Sequence, residues 1–320
     1  MNRFGLIAVV ACALLAPVVR ADADTIMGEY AGTFYPDKQV KMDATADVVA
    51  EGGGRYRIVI DARSHEPGQD GALIEVYAQG DGERATLMDG QRFGGYEWKG
   101  EIKNGHLSVN TKYGLHFELD RIESKSPNAG MEAPRGAVVL LAYEKGKKAD
   151  LSKWTNTNWK ALDDGVMECV PKKGSNKSKQ EFGDLRHLHV EFRLPLEPGN
   201  RGQGRANSGV YVCDSYEVQI LDSFGLVHTS GDCGGLYNVK RAAVNACLPP
   251  ETWQTYDIVF RAPRADDDGN TSNPRITVIH NGVKIHDDVE IPQIKKKRGP
   301  LQLQDHKHAI QFRNIWLLEG

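Results

Sequence analysis

Glu217 and Gln219 stand two apart in the run Tyr216-Glu217-Val218-Gln219-Ile220-Leu221-Asp222. In a β-strand alternate side chains share a face, so the carboxylate and the amide project together while Val218 and Ile220 enter the core. A carboxylate lined up with an amide suits a surface that holds hydroxyl-rich ligands and moves protons. The phase slips between Gln219 and Asp222, which predicts a β-bulge of the kind that re-aims side chains beside active sites. Two other stretches carry polar groups in the same way. His187–Arg193 alternates His187, His189, Glu191 and Arg193 with Leu188, Val190 and Phe192. Leu301–His306 puts Gln302 and Gln304 on one face, with His306 continuing it. Glutamine is a poor strand former, and its repetition near aromatic residues points to sugar handling. The His-x-His-x-Glu spacing is compatible with a divalent metal on His189 and Glu191, and equally with a hydrogen-bonded surface row. Asp305 has the opposite phase to Gln304 and reads as structural.

The elements that must position these groups are strands. Helical periodicity is nearly absent, whereas alternating runs such as Arg55–Ile60, Ala72–Tyr77, His106–Val109 and Gly114–Leu119 recur between Gly and Asp turns. Residues 22–123 therefore read as an antiparallel β-domain, and 124–148 as a linker region with one strand at Ala137–Tyr143. Residues 149–320 carry longer strands, among them His187–Leu194, Asn207–Val212, Tyr216–Leu221, Thr255–Arg261, Arg275–His280, Gly299–Gln304 and Ile310–Leu318. Asn281-Gly282 between two apolar runs predicts a type I′ hairpin. About eight strands over this length imply two packed antiparallel sheets, so the fold class is all-β. The acidic loop Arg264–Asn270 lacks the Gly and Glu positions of a calcium loop and reads as a solvated hairpin tip.

Bulk properties narrow the function classes. Arg3, an uncharged apolar run from Phe4 to Val19, and small residues Val19 and Ala21 before Asp22 form a secretory leader cleaved after Ala21. The run is shorter than the ~20 residues a membrane span requires, and no other stretch approaches that length, so stable membrane insertion is not expected after cleavage. The formal charge of −3 becomes about −5 once Arg3 and Arg20 leave, which is unsuited to nucleic acid. Lys295–Arg298 is the local exception and reads as a solvated loop. Beyond the leader, Cys169, Cys213, Cys233 and Cys247 remain. An even count in an exported chain favours one or two disulfides, with Cys233–Cys247 the preferred pair of three possible pairings.

A larger pattern joins the motifs. Leu188–Phe192, Asn207-Ser208-Gly209-Val210, Tyr216–Ser223, Gly235-Leu236-Tyr237, Trp253–Ile258, Leu303-Gln304-Asp305-His306 and Phe312–Trp316 follow one another in order. Together they resemble the 3-keto-disaccharide hydrolase family (domain of unknown function 1080) over about residues 149–319. The resemblance implies a concanavalin-like jelly-roll β-sandwich, preceded here by the smaller β-domain. It implies cleavage of glycosides whose glucose carries a C3 ketone, by elimination and hydration, with a small carbohydrate substrate. It also implies roles. Glu217 and His306 would be base and acid, in either order. Asn207, Gln219, Gln304 and Arg313 would position sugar hydroxyls and the enolate oxygen, with Tyr237 beside them. Asp222 would bind substrate or orient a loop. No cofactor is required beyond a divalent metal on His189 and Glu191, if one is held. Many relatives have Gly after the histidine, where this chain has Lys307 and His308. The run Glu217-x-Gln219-x-x-Asp222 is similar to the carboxylate motif of laminarinase-type glycosidases, but Gln219 replaces the middle acid and Asp222 is short. A non-catalytic carbohydrate-binding jelly roll is the alternative reading, and a surface adhesion protein a third.

Overall fold

The computed structural model of the chain describes residues 24–62, 72–265, 271–291 and 296–320. The segment read as a leader, most of the acidic loop and Lys295 lie outside the described residues. Ten strands form the first unit: β1 (Gly28–Tyr35), β2 (Met42–Gly52), β3 (Arg55–Ala62), β4 (Ala72–Gly80), β5 (Arg84–Leu87), β6 (Arg92–Phe93), β7 (Tyr96–Glu97), β8 (Lys99–Lys103), β9 (His106–Asn110) and β10 (His116–Arg121). Eight of them close a barrel in the order β1-β10-β9-β8-β5-β4-β3-β2, and β6–β7 is a separate ribbon. The alternation of β3 explains the closure. Tyr56, Ile58, Ile60 and Ala62 point inward and are buried, and they meet Ile74, Val76 and Ala78 of β4. The interior is filled by side chains, so it is a packed core and not a pore.

The remaining strands are β11 (Val138–Leu141), β12 (Lys160–Ala161), β13 (Met167–Glu168), β14 (Asn176–Phe182), β15 (Leu185–Arg193), β16 (Ser208–Val212), β17 (Tyr216–Ile220), β18 (Trp253–Arg261), β19 (Arg275–His280), β20 (Val283–Glu290), β21 (Gly299–Leu303) and β22 (Gln311–Glu319). The large sheet runs β12-β13-β22-β15-β18-β19-β20, with β11 also pairing β22. The strand expected in the linker is therefore part of this sheet. The small sheet runs β14-β21-β16-β17. Leu188, Val190 and Phe192 of β15 and Ile258 and Phe260 of β18 face Val210, Val218, Ile220, Leu301 and Leu303 across the core, all buried. Asn281 and Gly282 both have positive φ (49° and 80°), as the expected I′ hairpin requires.

Because the apolar residues of both sheets turn inward, each sheet keeps a polar outer face, and the two point to opposite sides of the sandwich. The expected bulge is absent. β16 and β17 pair without a register shift from Ser208–Ile220 to Val212–Tyr216, and the phase slip at Leu221–Asp222 is the end of the strand. The barrel is tied to the sandwich by side chains reaching backbone. Arg201 Nη2 donates to Glu51 O (2.8 Å), Arg205 donates twice to Ala50 O (3.1 Å each), and Arg57 Nη1 donates to Gly225 O (3.0 Å).

Candidate active site

The outer face of the small sheet gathers most of the residues singled out in the sequence. The tight β16–β17 hairpin pairs Tyr211 with Glu217 and Gly209 with Gln219. The Tyr211 hydroxyl donates to the Glu217 carboxylate and accepts from Gln304 Nε2 at 3.0 Å. The Glu217 carboxyl lies against Gly209, so a side chain there would meet it. Burial pushes the Glu217 carboxyl above the usual glutamate range, and the Tyr211 hydrogen bond draws it part of the way back. The segment Gly234–Tyr237 runs along the free edge of β17. Gly234 N donates to Gln219 O, Gln219 N to Gly235 O (2.9 Å each), and Tyr237 N to Glu217 O (3.2 Å). This pairing covers an exposed strand edge and brings the half-exposed Tyr237 ring beside Glu217. Tyr211, Glu217, Leu236, Tyr237 and Ile291 are among the walls of a cavity of about 190 Å³.

Deeper in the site, Gln203 links two amides. Its Oε1 accepts from Asn207 Nδ2 (2.9 Å) and Gln219 Nε2 (3.1 Å), and its own Nε2 donates to Gly231 O (2.7 Å). Every amide nitrogen of Asn207 and Gln219 is thereby aimed at protein oxygens, which fixes how the amides are turned. Their oxygens are left over. Asn207 Oδ1, Gln219 Oε1 and Gln304 Oε1 are buried without a protein partner among the described residues. Buried acceptors are normally satisfied, so these three oxygens are left for donors that the described side chains do not supply. His306 stands exposed after β21, its ring parallel to that of His308 with centroids 6.1 Å apart. His308 Nδ1 in turn meets Glu197 Oε1 at 2.9 Å.

Asp222, at the end of the same strand, goes elsewhere. It is 3% exposed, and its Oδ2 is 2.5 Å from Arg205 Nε. Burial pushes the Asp222 carboxyl up, and the Arg205 guanidinium pulls it back. The pair sits under the barrel, since the other Arg205 nitrogens hold Ala50 O.

Residues 141–318 match the model of the 3-keto-alpha-glucoside-1,2-lyase-like domain. The chain belongs to this family. A protein from Parabacteroides distasonis ATCC 8503, assigned provisionally to the glycosyl hydrolases and solved at 2.13 Å resolution, is 34% identical to it. That match covers 59% of this chain and 85% of the other, with a TM-score of 0.52. A second protein from that organism with the same provisional assignment, solved at 1.70 Å, is 13% identical over 58% of this chain and 94% of its own, with a TM-score of 0.41. No curated protein matches the sequence. The family and the first neighbour make the chain glycoside-hydrolase-like, with a carbohydrate as its substrate class. The barrel lies outside the family match.

Three residues assigned through the family resemblance lie on the opposite outer face, that of the large sheet. Arg313 Nε meets Glu191 Oε2 at 2.7 Å and its guanidinium lies over the Trp253 ring, so it serves Glu191 and not Glu217. Burial alone would raise the Glu191 carboxyl, but hydrogen bonds from His189, Asn314 and Arg313 hold it below its usual range. Gly130 N also donates to Glu191 Oε1 at 2.5 Å. Glu191 is thus already filled by donors, and the side chains whose ligand atoms come within 4.8 Å of one another are His187, His189 and Asp257 rather than the expected pair of His189 and Glu191. The expected Cys233–Cys247 disulfide is not formed. Both cysteines are buried thiols in hydrogen-bond contact, with Cys233 Sγ 3.2 Å from the Tyr256 hydroxyl.

The departure after His306 has a backbone consequence. Lys307 has φ 73°, a left-handed conformation that favours glycine, and its N–H is held by Asp305 Oδ1 at 2.8 Å. Asp305 also accepts from Gly174 N (2.8 Å) and anchors the loop, in keeping with its opposite phase. Two residues of the site were not singled out from the sequence. Tyr211 had a signal, because Asn207, Gly209 and Tyr211 alternate with Ser208, Val210 and Val212. Gln203 lies in the 3₁₀ turn Gly202–Gly204, where no periodicity exists to read.

Proposed function

We propose that the chain is an exported enzyme that cleaves 3-keto-glycosides by elimination followed by hydration, a net hydrolysis. The observation that carries this reading is Glu217, raised by burial and held by Tyr211, on the strand that also carries Gln219, whose amide oxygen, like those of Asn207 and Gln304, has no protein partner among the described residues. A ketone at C3 acidifies the C2 proton. Glu217 removes it, the electrons move toward the C3 oxygen, and the C1–O bond to the leaving group breaks. His306, exposed after β21, gives the departing oxygen a proton, and water then adds across the resulting double bond. A carboxyl with a raised pKa suits proton transfer near neutral pH. The three amide oxygens accept hydrogen bonds from the remaining sugar hydroxyls.

The same geometry weighs against double displacement, which needs a second carboxyl about 5–5.5 Å from the first. The acid this motif offers is Asp222, and it is buried against Arg205. Export rests on the leader at residues 1–21, in which case Asp22 begins the mature chain. The test is incubation with a 3-keto-glucoside in D₂O. Release of the aglycone together with a 3-keto sugar carrying deuterium at its C2 is expected, and Glu217→Gln should lower turnover by roughly 10²–10⁴-fold. Turnover that Glu217→Gln leaves intact would remove Glu217 from the mechanism, and cleavage of unoxidised glycosides at the same rate would remove the elimination.

A further inference from the structure

The large sheet's outer face holds a second cluster of ligating side chains that this chemistry does not use. His187 and His189 are two apart on β15 and so share a face, and the β15–β18 register sets His189 directly beside Asp257. His187 Nε2 and His189 Nδ1 each lie 2.7 Å from the same oxygen, Asp257 Oδ1. The segment that joins barrel to sandwich closes over them. Ser126 Oγ meets Thr255 Oγ1 (2.7 Å), Asn128 Nδ2 donates to Asp257 Oδ2 (2.7 Å), and Met131 O accepts from Asn314 Nδ2 (2.9 Å). The His189 side chain is fully buried and that of Asp257 is 5% exposed, whereas that of His187 is 30% exposed.

We propose that His187 Nε2, His189 Nδ1 and Asp257 Oδ1 bind a zinc-class divalent transition-metal ion, with a fourth position open on the His187 side. The argument starts from proton counting. His189 faces a carboxylate on both ring nitrogens, Asp257 at Nδ1 and Glu191 Oε1 at Nε2, 3.4 Å away. A neutral imidazole has one N–H, so it can donate to one of them and must set a lone pair against the other, on a side chain that has no solvent exposure of its own. A metal on Nδ1 resolves the conflict. Nε2 then keeps its proton and donates to Glu191, which is the carboxylate–histidine–metal arrangement that fixes the tautomer of ligating histidines. Asn128 plays the matching part for Asp257 by holding the oxygen that does not ligate. Two nitrogens and one carboxylate select zinc and its neighbours over calcium or magnesium, which prefer all-oxygen sets. Three protein ligands with one partly exposed side leave room for water as the fourth. The competing occupant is a second proton on His189, which would satisfy both carboxylates without a metal.

The experiment uses the full chain, freed of metal by chelator and dialysis, and titrated with Zn²⁺ alone and with Co²⁺ alone. One equivalent of Zn²⁺ should remain per chain after dialysis, Co²⁺ should give the visible absorption of a four- or five-coordinate site, and saturating zinc should raise the melting temperature by roughly 5 °C. His187→Ala, the mildest change because His187 is the exposed member, should weaken zinc binding at least roughly tenfold, and Asp257→Asn should do the same. Glu217→Gln should bind zinc normally, which separates this site from the catalytic one. Sub-stoichiometric zinc, or full binding retained by a folded His187→Ala chain, would overturn the proposal in favour of the protonated histidine.

Discussion

Gly209→Ala puts the geometry of the small sheet to the sharpest test. Gly209 is the second residue of β16, where its φ lies outside the left-handed region, so its backbone suits any residue. What it lacks is a side chain, and the space is taken by Glu217. A Cβ at this position would lie 3.1 Å from Glu217 Cγ and Cδ and nearer still to Oε1. Relaxed carbon contacts settle at roughly 3.5–4 Å, so the carboxylate must retreat by about 1 Å. A displacement of about 1 Å at a reacting group costs on the order of 10²-fold in rate, or about 2.7 kcal/mol of barrier. The fold itself should not suffer, because removing a glycine from a strand interior gains roughly 0.5–1 kcal/mol. The expected result is a chain that melts at or slightly above the wild-type temperature and turns over a 3-keto-glucoside about a hundredfold more slowly, chiefly in kcat. Aglycone release and a thermal melt on the same preparation measure both. Wild-type turnover in a folded Gly209→Ala chain would refute the placement of Glu217 as the reacting group.

Two predictions concern pH. As a base Glu217 must be ionised, so turnover should fall as pH is lowered, with a midpoint above that of an ordinary glutamate. Tyr211→Phe removes the hydrogen bond that favours the ionised form, so the acid limb of kcat should move further up; a limb that stays in place would rule out Glu217 as its source. In the barrel, Asp47 is paired across β1–β2 with Glu29, and burial, then that neighbouring charge, raise its carboxyl to about 6. The folded state thus holds the Asp47 proton more tightly than the unfolded chain, and the stability this lends is present below about pH 4 and lost as pH rises through about 6. Two pKa units correspond to roughly 3 kcal/mol. Asp47→Asn should therefore be more stable than wild type by about 2–3 kcal/mol at pH 8 in urea unfolding, with the difference closing near pH 4. An equal unfolding midpoint at pH 8 would contradict it.

Alternation made much of the fold legible. It placed β15, β17 and β19, and the Asn281-Gly282 hairpin, because period two and turn chemistry are local properties. It could not tell the two outer faces of a sandwich apart. Glu191 and Glu217 have the same polar-out pattern, and only the sheet assignment, set by distant pairing of β15 with β18 and β22, sends them to opposite sides. β14 went unread for a different reason. In Asn176–Phe182 the inward positions include Asn176 and Ser178, polar residues buried with their own hydrogen bonds, so no apolar alternation marks it. Asp222 misled because a carboxylate in a motif looks available until its partner is seen. Arg205 lies 17 residues earlier in an irregular segment, and the Ala50 carbonyl that completes the arrangement belongs to the barrel.

That last contact bears on how the chain can be taken apart. Arg205 comes just before Asn207, and Asp222 follows β17, so one ion pair fastens the roots of both strands that carry the site. The barrel is the lid that keeps this fastening dry. A sandwich cut free at the segment after Arg121 would open the pair to water and leave the guanidinium without its Ala50 acceptor, slackening β16 and β17 where they begin and end. The barrel therefore works as a brace for β16 and β17 without contributing a side chain to them, and shortening the protein to its family-matching half would alter the geometry of the candidate site from behind.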